Sequence, residues 1–156
     1  MFEWLESTAL AVWVGQSPSV WALPTVLTLH TAGLAMLVGA SWVLDLRLLG
    51  ISRTVPLSAF RWVFPVIGIG LVVNVVTGVL LFIKSATTWA TSIPFLIKMS
   101  LVIAGVATLL PLRSHVLHSH SSEGREGVPV RFLAIASILA WAAAVTAGRL
   151  LAYLIT

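Results

Sequence analysis

From Trp21 to Leu44 the chain carries no charged residue. At a rise of about 1.5 Å per residue, such a run forms a helix long enough to cross the ~30 Å hydrocarbon core of a bilayer. The stretch around it, residues 19–49, reads as a membrane span with one histidine, His30, well inside it and an Asp45/Arg47 pair at its far end. An ionisable side chain at membrane depth is costly and points to a functional site. His30, Gly33, Leu37, Ser41 and Asp45 recur at steps of three and four, so one side of this helix is polar and small.

The rest of the composition agrees with a membrane location. The 156 residues are 59% hydrophobic and 9% charged, with a mean hydropathy of +1.06, whereas soluble domains carry roughly 25% charged residues. The nine basic residues are scattered singly, with no Lys/Arg run and no interleaved aromatics, which argues against nucleic acid as a partner despite a pI near 10.8. There is no cysteine, so disulfides, thiolate metal sites, iron–sulfur ligation and cysteine nucleophiles are excluded. No cleavable signal is visible, because Glu3 and Glu6 stand where a secretory leader would be basic.

Taken in order, residues 2–14 place Phe2, Leu5, Ala9, Val12 and Trp13 at helical spacing and break at Gly15-Gln16-Ser17-Pro18. This segment is too short to span. It predicts a helix lying in the interface, with Trp4, Trp13 and Trp21 at headgroup level. After the span over 19–49, a linker with Arg53 and Arg61 leads to a second span over 62–83. Gly70, Asn74 and Gly78 repeat there every four residues, giving a narrow face around an amide that a helix or a flat ligand can approach. Asn74 lies at a depth similar to that of His30, so a hydrogen bond between the two is geometrically allowed. A third span is expected over 94–112, closing at Pro111, followed by a hydrophilic loop with His115, His118 and His120, and a fourth over 130–155. The expected fold is all-α, a single membrane domain built as a four-helix bundle with a short interfacial helix.

Arg47, Arg53 and Arg61 flank the first connection and Arg113, Arg125 and Arg131 the third, against Lys84 and Lys98 for the second. By the positive-inside rule the first and third connections face the cytoplasm, which puts both termini on the outer side.

The phrases LHTAGLAMLVGASWVLDLRLLG, TGVLLFIKSA, PFLIKMSLVIAG and AGRLLAYL resemble a family of small uncharacterised bacterial four-helix membrane proteins, known as a domain of unknown function. More distantly the chain is similar to CopD-type copper-resistance membrane domains, which pair a His-led small-residue helix with a Lys-led helix. The closer resemblance implies the fold and a place in the bacterial inner membrane. Its recurrent polar positions fall here on His30, Asp45, Arg47, Lys98, Arg149 and Tyr153. Ala107 and Thr108 stand where related helices often carry an asparagine, and Pro111 near where some carry a histidine, so no ligand is carried over to the third span.

His30 admits three readings. It is an axial ligand to haem b, with Gly33 relieving crowding by the porphyrin and Asn74 close by. It is a copper ligand on a CopD-like path with Asn74 and Met36. Or it is a buried histidine satisfied by Asn74 or a backbone carbonyl. The first makes the protein a cytochrome-like electron-transfer subunit, with Arg149 placed to meet haem propionates. Since no second histidine lies at membrane depth, the sixth position would go to a second copy, to Met36 or Met99, or stay open. Asp45 and Arg47 are expected to form a salt bridge and interface lock with Arg53 or Arg61, with a proton relay as the other role for Asp45. Lys84 and Lys98 read as interface anchors, and the H-x-x-H-x-H group as a solvated loop or a zinc or copper site. No Ser/His/Asp order, paired carboxylates or phosphate loop occurs, so the chain is not expected to be an enzyme on its own. A non-catalytic accessory subunit of a membrane complex is the alternative, and self-association or a partner subunit is expected from the glycine-lined second span.

Overall fold

The structure is a computed structural model and describes residues 2–118 and 127–154. Helix α1 (Glu3–Glu6) and α2 (Ala9–Gln16) are followed by the long α3 (Ala22–Leu49), a 3₁₀ turn (Leu57–Phe60) and α4 (Val63–Ile83). Then come the short α5 (Ala86–Ala90) and two further long helices, α6 (Ile93–His118) and α7 (Val128–Leu154). Four helices, α3, α4 with the preceding 3₁₀ turn, α6 and α7, are long and apolar enough to cross a membrane.

Each boundary has a local cause. Pro24 sits in the first turn of α3, where its missing N–H costs nothing. Gly50 ends the same helix at φ +107°, with its N–H bonded to the Arg47 carbonyl and that of Ile51 to Leu46, both at 3.0 Å. This paired closure needs a residue that tolerates the left-handed region. The interfacial segment is two helices rather than one. Its break falls at Ser7-Thr8, where the Thr8 hydroxyl bonds back to the Leu5 carbonyl at 2.7 Å and accepts from the Ala11 N–H at 3.3 Å as an N-cap. Glu6 then accepts from the Thr87 N–H of α5 at 2.8 Å, so α1 is tied to the second connection.

The third span does not close at Pro111. α6 runs through the proline to His118, although an interior proline removes one backbone bond and costs roughly 3 kcal/mol. Burial offsets this, because Leu112 and Val116, beyond the proline, are completely buried in the core. His115 and His118 therefore lie on the last turns of a helix rather than in a loop, while His120 lies outside the described residues.

α3 packs antiparallel on α4 and α6 antiparallel on α7, and the two hairpins join where α3 meets α7. α4 and α6 form the flanks and do not pack along their length; they meet near one end, where Phe82 stacks on Phe95 with ring centroids 5.3 Å apart. The core at the opposite end holds Leu37, Leu44, Leu48, Val63, Ile67 and Trp141. The bundle thus has a cap end, bearing α1, α2 and α5, and a basic end, bearing Arg47, Arg53, Arg61, Arg113 and Arg131. Outward faces are largely apolar, with Val72, Val75, Val76 and Val79 exposed on α4 and Ile103 and Leu110 on α6. These are the faces a bilayer covers.

α3 and α4 approach to backbone contact. A Cβ built on Gly70 would lie 2.7 Å from the Leu37 nitrogen and 2.8 Å from the Gly33 carbonyl oxygen, and one on Gly33 would lie 3.0 Å from the Asn74 nitrogen. Gly39 and Gly68, on the same two helices, have open space instead. Gly70→Ala and Gly33→Ala are therefore expected to lose about 1–3 kcal/mol of stability. Gly39→Ala and Gly68→Ala serve as unaffected controls, and thermal unfolding in detergent reads the difference.

Candidate functional site

The close crossing at Gly33 and Gly70 determines what the histidine meets. His30 is one turn nearer the cap end on α3, eight residues beyond Ala22, or about 12 Å along the helix from its start. Asn74 and Thr77 face it from α4. The Asn74 side-chain amide donates to the His30 carbonyl at 3.0 Å, satisfying a group that already serves the helix. The ring has another partner: its Nδ1 lies 2.9 Å from the Thr77 hydroxyl oxygen.

The direction of that last bond follows from the threonine. Thr77 Oγ1 sits 2.6 Å from the Val73 carbonyl oxygen, which can only accept, so the hydroxyl proton is spent there. The ring Nδ1 must then be the donor, and Nε2 carries the lone pair. Nε2 makes no hydrogen bond among the described residues. This is the arrangement in which a ligating histidine is oriented through its other nitrogen.

Two more residues complete the surroundings. Gly78 borders the ring, since a Cβ there would stand 3.3 Å from His30 Cε1. Lys98 of α6 is half-buried, and its charge acts on the ring. Its stem lies along α7, with the Cε 3.5 Å from where a Gly148 Cβ would be. The site therefore draws on all four long helices, one turn inside the Phe82–Phe95 stack.

The residues singled out from sequence fare differently. His30 and Asn74 are brought together, through the backbone carbonyl rather than the ring. Gly33 is filled over by Val73, Asn74 and Gly70, so it serves helix packing, and the glycine beside the ring is Gly78. Arg149 is exposed on α7 and enters no hydrogen bond with this group. His115 and His118 lie 17 and 20 residues beyond Lys98 on the same helix, which places them about 25–30 Å away at the basic end. There His115 lines an open cleft of about 380 Å³ with Pro111, Pro129 and Leu133. Among the described residues no three His, Asp or Glu side chains come together to hold a metal ion. Thr77 does not stand out in the sequence as a partner of the ring, and Lys98 stands out there only as a recurrent polar position and interface anchor. The signal for Thr77 was its place three residues after Asn74 on the same helical face, while Lys98, at the head of an apolar helix, reads from sequence as an ordinary interface lysine.

The expected Asp45 salt bridge does not form. Arg47, itself buried, donates to the Val55 carbonyl at 2.8 Å and the Arg53 carbonyl at 3.4 Å, and Arg61 donates to the Leu117 carbonyl at 3.1 Å. Residues 45 and 47 are two apart on a helix and face different ways. The arginines accordingly close off the loop carbonyls and leave the aspartate in the core.

Four long apolar helices, with one histidine held between α3 and α4, define a multi-pass, all-helical membrane protein. Residues 1–154 match a family of unknown function (DUF6644), and the chain belongs to that family. No curated protein and no solved structure matches the chain, and no match links it to the CopD-type domains.

Nitrogen-15 spectra of histidine-labelled protein are expected to show His30 with a protonated Nδ1 and a bare Nε2. Thr77→Val removes the acceptor and should mix the two tautomers, at a cost of about 1 kcal/mol in stability.

Proposed function

We propose that this chain is a membrane cytochrome-like subunit that holds haem b through His30 Nε2 and passes electrons to and from partner molecules. The observation that supports this reading is the Thr77 hydrogen bond, which fixes the ring by Nδ1 and leaves Nε2 as a lone-pair donor inside a membrane span. The residues present suit such a group. Gly78 presents backbone beside the ring, and Lys98 brings the positive charge that a propionate requires. Bound haem, held by His30, would supply one-electron chemistry.

In this reading each residue of the chain has a physical task. Thr77 holds the imidazole in one tautomer and one rotation, Asn74 holds the α3 backbone beneath it, and Lys98 offsets negative charge in a low-dielectric surrounding. Among the described residues no second histidine would join His30 in holding the group, because His115 and His118 belong to the far end of α6. The basic end, with its five arginines, faces the cytoplasm of a bacterial inner membrane, and both termini face outward.

The visible spectrum of detergent-purified protein from haem-replete cells tests this, oxidised and dithionite-reduced. A Soret band with sharpened α and β bands on reduction, lost in His30→Ala and weakened in Lys98→Gln, is expected. A colourless wild type removes the cytochrome reading. Reporter fusions at the two termini check the orientation, with outward-active reporters expected at both.

A further inference from the structure

The seam between α3 and α7 contains polar atoms that no hydrogen bond satisfies among the described residues. Asp45 is completely buried, and among the described residues neither of its carboxyl oxygens has a hydrogen-bond partner of ordinary geometry. The Ser137 hydroxyl, also completely buried, is the polar group that faces it from α7, and among the described residues it too closes no hydrogen bond of ordinary geometry. One turn further in, the buried Trp141 indole N–H is in the same condition, while the Ser41 hydroxyl is satisfied by the Leu37 carbonyl at 2.7 Å. This is the half of the bundle away from His30, 15 residues along α3, or about 22 Å.

A buried carboxylate left charged and unpaired costs far more than a neutral acid. Among the described residues, the basic groups of the elements around it are engaged elsewhere or exposed. On its own helix, Arg47 is committed to the Val55 and Arg53 carbonyls. On α7, Arg131 is exposed and donates to the Leu49 carbonyl at 3.4 Å. On α6, Arg113 is exposed beyond the end of the seam, and α4 carries no titratable residue at all. What remains is a small cation or a proton. Metal cations of the hard type gather about six or more oxygen ligands, whereas the seam offers one carboxyl and one free hydroxyl. A proton needs no more than that.

We infer that Asp45 and Ser137 form a proton-binding site in the α3–α7 seam, open to exchange with water at the basic end of the bundle. One proton from water joins one carboxyl oxygen, the single negative charge is cancelled, and the acid closes a hydrogen bond with Ser137 Oγ; no electron moves. Leu49, the last residue of α3, is four positions away, so the path to the basic end is about one helical turn. The site stands independently of the reading given to His30.

The chain simplifies the test, because Asp45 is its only aspartate. Aspartate carrying carbon-13 in the side-chain carboxyl therefore labels this one group in the intact wild-type protein. Infrared spectra of the labelled protein in liposomes should show a protonated-carboxyl C=O band that moves with the isotope and disappears in a one-proton step as the pH is raised. Ser137→Ala should move that band to higher frequency, and Asp45→Asn should abolish it. An isotope shift confined to carboxylate bands at every pH overturns the proposal. So does a sodium-dependent gain in thermal stability that Asp45→Asn removes, since it would make the occupant a metal cation.

Discussion

The backbone contact between α3 and α4 is the constraint on which the rest of the structure depends. Lipid offers helices no hydrophobic reason to associate, so they hold together where their surfaces fit closely. Gly33 and Gly70 remove the side chains that would keep these two helices apart. With the axes that close, Asn74 can reach a backbone carbonyl across the interface at 3.0 Å, and Thr77 can reach the ring one turn along at 2.9 Å. A looser crossing would leave both polar side chains facing lipid, where each would cost more than it contributes.

The two hairpins divide the labour. α3 and α4 hold the histidine, while α6 and α7 bring Lys98 toward it at the cap end and Ser137 toward Asp45 at the basic end. α6 and α7 have their own close approach, where a Cβ on Gly105 would lie 2.8 Å from the Trp141 ring. α3, packed on both α4 and α7, is the helix common to the two polar sites. Its one-sided pattern of His30, Gly33, Leu37, Ser41 and Asp45 thus splits. His30 and Gly33 turn to α4, while Asp45 meets α7.

The sequence made the four spans legible because uncharged runs of that length have few alternatives to a membrane helix. The depth of His30 and the small-residue face around Asn74 were legible for the same reason, since helical spacing is a local property. Partner choice was not. Asn74 bonds a carbonyl rather than the ring, and which group it meets is set by how α4 docks on α3 at the Gly33–Gly70 crossing, a tertiary fact. The extension of α6 through Pro111 depends on Leu112 and Val116 finding a core beyond it, which no local propensity reports. The arginines near Asp45 suggested a salt bridge by proximity in sequence, but helical rotation sends Arg47 to the loop and Asp45 to the interior.

In the proposed haem site, Thr77 would tune His30 as a ligand. The most direct test is the midpoint potential of the haem-loaded protein beside that of Thr77→Val. Hydrogen bonding at Nδ1–H makes an imidazole a stronger donor and favours the oxidised metal, so the potential is predicted to rise in the variant while its haem content is retained. An unchanged potential, or haem that stays bound when His30 itself is replaced, would contradict the account.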